Sequence, residues 1–159
     1  MTPQEYNKAV EEYSDRIYRF VLKSMGDQDK SKDVVQDCYE KLWINVEEIE
    51  YGKAKAWLFT TAHNAMIDVL RKEKKIVDID STPEDIHDKS YNDLNEILHQ
   101  CLSKLNDSWR SVILLRDYEG YSYREIGDIT GQSEAQVKIN IYRARMALRK
   151  MIGKMEVLV

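Results

Sequence analysis

The chain has 159 residues; 43% are aliphatic or aromatic, 33% are charged, and there are only six glycines and two prolines. That length suits one ordinary domain or two small ones, and the balance favours helices over a turn-rich sheet protein. The net charge of −4 argues at first against a nucleic-acid partner, and no stretch approaches the ~20 apolar residues of a membrane helix.

Thr2-Pro3-Gln4-Glu5 reads as a capping box with proline in the first helical turn. Tyr6, Val10, Tyr13, Ile17, Phe20 and Val21 then recur at helical spacing, and Gly26 is a stop. The same opening has neither the basic start nor the apolar run of a signal peptide, so the expected location is the cytoplasm. A second helix is expected from Ser31, with Val34, Cys38, Leu42 and Val46 on one face. Asp33, Gln36, Asp37, Glu40 and Lys41 fall outside that face. After a break at 47–52, a third helix is expected over 53–75.

From Ile76 to about Tyr91 the periodicity is lost. Residues 76–95 carry six acidic side chains and one basic one, with Ser81-Thr82-Pro83 in their midst. This segment reads as a flexible acidic linker, within which a short helix could follow Pro83. It also explains the net charge, because the acidic excess is local.

Leu94, Ile97, Leu98, Cys101, Leu102 and Leu105 mark the next amphipathic helix. Asn106-Asp107-Ser108 offers caps for another, carrying Trp109, Val112, Ile113 and Leu115 and ended by Gly120. Ser122-Tyr123-Arg124-Glu125 opens a short helix, Thr130-Gly131-Gln132 turns the chain, and Ser133-Glu134-Ala135-Gln136 opens a long helix to about Ile152. A short helix, a glycine turn and a longer helix follow the helix-turn-helix order. Within 133–150 five basic residues face one acidic residue, so the last helix is basic although the chain is not.

On that last helix Val137, Ile141, Ala144 and Leu148 share a face that should pack inward. The opposite side holds Ala135, Ile139, Tyr142, Arg143, Met146, Arg149 and Lys150, flanked by Gln136 and Lys138. Basic groups there could hold phosphates, Gln136 could bond an adenine, and Ile139 could touch a thymine methyl. The same pattern fits a helical hairpin with a solvated basic face. In the third helix Trp57, Thr60, Asn64, Asp68 and Arg71 recur at three- and four-residue steps. An aromatic can stack a base, an asparagine can bond its edge, and Lys or Arg can follow phosphates.

Two stretches, in order, resemble the extracytoplasmic-function sigma factors of bacterial RNA polymerase. The first holds Asp33-Val34-Val35-Gln36-Asp37, Leu42-Trp43, Ala56-Trp57-Leu58-Phe59-Thr60, Asn64, Ile67-Asp68 and Arg71. It is similar to the second sigma domain. The other is Trp109–Leu148, with Leu115-Arg116, Glu119-Gly120, Ser122-Tyr123, Glu125-Ile126, Val137-Lys138 and Arg143-Ala144-Arg145. It is similar to the fourth. The resemblance implies an all-α protein of two small helical domains: an N-terminal one over 1–75, the acidic linker over 76–92, and a helix-turn-helix domain over 93–159.

The resemblance also implies core RNA polymerase as partner, through the β′ clamp helices and the β flap, and promoter DNA in double- and single-stranded form. Asp33, Gln36, Asp37, Glu40 and Lys41 would bind polymerase. Tyr51, Lys53, Lys55, Trp57, Thr60, His63, Asn64, Asp68 and Arg71 would meet the minus-ten element. Ser133, Glu134, Ala135, Gln136, Lys138, Ile139, Asn140, Tyr142 and Arg143 would meet the minus-thirty-five element. Many family members are held inactive by an anti-sigma protein between the domains; the sequence leaves such a partner open here. Two departures stand out: Ile139-Asn140 where Ser-Arg is common, and His63 where Arg is common. Neither an enzyme activity nor a cofactor is expected: there is no nucleophile–base pair, no glycine loop for phosphates and no trusted metal spacing around His63, His87 or His99. Cys38 and Cys101 are expected buried and reduced. The first rival reading is a stand-alone helix-turn-helix regulator that binds DNA without polymerase, and the second is a helical interaction module without DNA activity.

Overall fold

The computed structural model describes residues 1–80 and 94–157, and among these there is no strand. Helix α1 (Pro3–Met25) starts on the expected capping box, with Thr2 accepting from the Glu5 amide and Glu5 accepting from the Thr2 amide. Helix α2 (Gln28–Ile44) begins three residues earlier than expected, because Asp27 caps the Lys30 amide at 3.0 Å. Ser31 lies inside that helix and donates its hydroxyl back to the Asp27 carbonyl. A 3-10 turn over Tyr51–Lys53 leads into α3 (Ala54–Asp80). The expected linker start at 76 therefore falls inside a helix. Residues 71–75 are all good helix formers, and no proline intervenes before Pro83. Residues 81–92 of the expected linker, and the short helix expected after Pro83, lie outside the described residues.

The second half comprises α4 (Leu94–Lys104), α5 (Asp107–Ile113), α6 (Tyr123–Thr130) and α7 (Glu134–Val157). A π turn over Leu114–Tyr118 follows α5, which sequence reading missed. Its wide turn puts the Glu119 amide on the Leu114 carbonyl at 3.1 Å and re-aims Tyr118 and Glu119 toward the first half. Gly131 caps α6 in the left-handed conformation, at φ 74°. Gly127 sits so close to the turn that a Cβ there would meet the Gln132 carbonyl oxygen at 2.6 Å. That contact sets the tight approach of α6 to the start of α7.

The buried side chains follow the expected faces. Ile17, Phe20, Val21, Cys38, Leu42, Leu58, Phe59 and Met66 fill the first half, and Val112, Leu115, Ile126, Val137, Ile141 and Ala144 fill the second. Both cysteines are buried and free of disulfide bonds, and burial raises the Cys38 thiol pKa to about 11. The two halves share one apolar cluster, with α3 against α6 and α1 against α4 and the π turn. Phe59 packs on Phe20 at 5.9 Å and, edge to face, on Tyr121 at 5.1 Å. Charged groups surround that seam. The Glu119 carboxylate, 1% exposed, accepts from Arg19 at 2.9 and 3.0 Å and lies 3.5 Å from Arg16.

Candidate nucleic-acid interface

Three surfaces emerge from these helices. On α2, Asp33, Gln36, Asp37, Glu40 and Lys41 are all exposed, while Val34, Cys38 and Leu42 hold the helix to α1 and α3. At 100° per residue the five polar positions span one continuous face. Trp43 and Ile44 extend it at the helix end, 50% and 78% exposed; periodicity alone gave no reason to expect two apolar side chains in solvent.

On α3, Asn64, Asp68 and Arg71 are exposed, and Trp57 and Thr60 are half-buried above the core. Together they form the expected stripe, and Lys53 stands exposed in the turn before it. Asp68 is tied to Lys72 at 3.1 Å. Three of the expected minus-ten residues stand elsewhere. Lys55 lies two residues before Trp57, so it projects from another side, where its ammonium sits 4.7 Å from the Tyr121 ring of the second half. His63 is buried, 8% exposed, because one residue before Asn64 turns it off the stripe. Burial lowers its pKa; a bond with Asn64 opposes this and nearby Arg71 adds to it. The Tyr51 hydroxyl donates to Glu12 at 2.8 Å, and that carboxylate pushes the phenol pKa up to about 12.

On α7, Ser133 accepts from the Gln136 amide at 3.2 Å and Gln136 accepts from the Ser133 amide at 3.0 Å, closing the expected capping box. The Gln136 side-chain oxygen thereby commits one of its two lone pairs to the cap. Glu134, Ala135, Lys138 and Arg143 are exposed. Ile139 is 48% exposed, Tyr142 66% and Met146 38%, an apolar stripe along a basic helix. Asn140 is half-buried and donates to Gln132 at 2.7 Å, and Gln132 donates to Ser108 at 3.2 Å. That relay draws Asn140 toward the turn, beside a shallow cavity of about 380 Å³ lined also by Ile139 and Arg143. Ser108 and Gln132 were missed in the sequence because their partner lies on another helix.

Comparison with known proteins follows the same division. The family model of sigma-70 region 2 matches residues 9–76 and that of sigma-70 region 4 matches 95–148. The chain is 29% identical to the ECF RNA polymerase sigma factor SigM of Bacillus subtilis, over 89% of this chain and 91% of that protein. It is 31% identical to SigL of Mycobacterium tuberculosis, over 87% and 84%. Among solved structures it is similar to the sigma factor RpoE of Bartonella quintana in complex with the anti-sigma factor NepR. The TM-score is 0.79 at 26% identity, covering 94% of this chain and 98% of that one.

Proposed function

The chain belongs to the extracytoplasmic-function sigma factors of RNA polymerase, and on that premise we propose how its surfaces divide the work of starting transcription. As a sigma factor it binds core RNA polymerase, directs it to promoters and promotes opening of the DNA. The exposed face of α2 from Asp33 to Lys41 docks on the β′ clamp helices. The α3 stripe of Trp57, Thr60, Asn64 and Arg71, with Lys53 before it, takes the minus-ten element as it opens. The outer face of α7 reads the minus-thirty-five element in the major groove, and the second domain also meets the β flap. The protein itself makes and breaks no bond; it works beside the polymerase in the cytoplasm, which carries out the chemistry.

The observation that carries this reading is the presence of both matched regions, in order, on one chain, each with its expected outer face in solvent. A stand-alone regulator needs only the second. The packed arrangement adds a physical requirement. The two promoter elements are separated by about 25 base pairs, or about 85 Å of duplex. A compact chain of this length has a radius of gyration of about 15 Å and so spans about 40 Å. The two domains must therefore separate before both elements are held at once, and the Glu119 seam must break. An anti-sigma partner, as in the Bartonella quintana complex, would act on the same equilibrium between packed and separated domains.

Run-off transcription tests the function. Purified core polymerase and this protein on promoter fragments from its own genome should yield specific transcripts that depend on the protein. Duplex binding without any transcript would favour the stand-alone regulator.

A further inference from the structure

A cavity of about 420 Å³ opens between the two halves, beside the Arg71 end of the α3 stripe. The end of α1, the second half of α3 and the α4–α5 junction form its walls. Its charge is one-sided. Among the described residues Lys23, Lys74, Lys104 and Arg110 line it, against the single carboxylate of Asp107. Asp107 is shared, accepting from Lys74 at 2.8 Å and from Arg110 at 2.6 Å. Lys23 stacks on the Tyr118 ring at 3.7 Å, and burial lowers its pKa, so an anion beside it would stabilise its charged form.

Just beneath the wall lie two donors without acceptors. The Ser24 hydroxyl and the Arg110 Nε are buried and have no hydrogen-bond partner, and their residues are only 6% and 5% exposed. Buried polar groups in folded proteins nearly always have partners, so two orphans beneath one cavity wall could gain an acceptor from a bound molecule once their side chains turn toward it. Ionised phosphate oxygens accept hydrogen bonds, and they bond guanidinium and ammonium groups with charge assistance. Leu70 and Met25 leave an apolar part of the wall for the rest of such a molecule, and the volume suits a small ligand.

We propose that this cavity binds a phosphate-bearing small molecule, which bridges the two domains and favours their packed arrangement. Lys23 and Ser24 come from the first domain, and Lys104 and Arg110 from the second, so the site is complete only when the domains are together. A ligand that binds only the packed state shifts the equilibrium toward it by mass action. The effect on transcription rests on the sigma-factor reading; the binding does not.

Calorimetric titration of the full chain with inorganic pyrophosphate, and separately with ATP, tests the site. Binding should be weakened about tenfold by Lys104→Glu, an exposed position whose change leaves the fold intact. Ser24→Ala should weaken it about threefold with no change in charge. Binding of pyrophosphate alone would show that the phosphates suffice, and binding of ATP alone that the nucleoside is also needed. Binding of neither probe, or equal affinity in Lys104→Glu, would overturn the site. A fluorescence distance between the domains should report a larger packed fraction on binding, and an unchanged fraction would overturn the bridging role. All of this is read on the free protein, so it can fail while run-off transcription succeeds.

Discussion

The α3 stripe and the outer face of α7, proposed to meet the same promoter, both stand in solvent, but their surroundings differ. On α7, Ile139, Tyr142 and Arg143 stand in solvent while the domains are packed. Around α3, Lys55 rests on Tyr121, Phe59 is covered by the same ring, and His63 is buried. The proposed duplex-reading face is thus clear of the other domain, whereas the flank of α3 beside its proposed strand-binding stripe is engaged with it. The contrast separates a surface governed by one helix from a surface governed by long-range packing.

Gly127→Ala breaks the comparison most sharply. A Cβ meeting the Gln132 carbonyl at 2.6 Å forces α6 from the turn, at a cost of about 2–3 kcal/mol to the second domain. Promoter duplex binding should fall steeply in a mobility-shift assay, while binding of core polymerase through α2 persists. Glu119→Ala attacks the seam instead. Losing a buried carboxylate between two half-exposed arginines should cost about 1–3 kcal/mol in chemical denaturation. The radius of gyration should also rise in X-ray scattering as the domains part.

The Ser133 cap is a smaller lever. Ser133→Ala should cost about 1 kcal/mol of helix stability and release the Gln136 amide group, seen as a lower melting temperature. Protonation of His63 sharpens the α3 side. Its folded pKa lies below 6.5, so below pH 6.5 the unfolded chain takes a proton that the folded chain resists. Stability should be fully present above pH 6.5 and decline as pH falls from there toward the folded value. His63→Gln should flatten that slope in denaturation curves measured between pH 7 and 5. The smallest expected effect on affinity is that of Ile139→Ser, which should alter the preferred minus-thirty-five sequence more than the binding constant. Identical preferences in a binding-site selection would contradict a contact by Ile139.

The same contrast explains what could be read from the sequence. Ser133 and Gln136 announced the start of α7, and the spacing of Val137, Ile141, Ala144 and Leu148 fixed which side faces the core. Those signals are local, and the structure agrees with them. The α3 stripe was legible for Trp57, Asn64 and Arg71 for the same reason. Lys55 and His63 were assigned to the same minus-ten set by family resemblance, although the 100° step of the helix turns each away from that stripe. The Glu119 seam left no trace in the sequence, since its arginines lie 100 and 103 residues away. The π turn that presents Glu119 has no compositional signature either.

The central claim is that this sigma factor packs its domains together when free and parts them to hold a promoter. Fluorescence energy transfer between labels at Glu11→Cys on α1 and Arg124→Cys on α6, both exposed sites, tests it most directly. The native cysteines are buried, and labelling at those two positions alone is checked on the unsubstituted chain. Efficient transfer in the free protein, lost on assembly with core polymerase and promoter DNA, is the predicted result. Equal transfer in both states would contradict it.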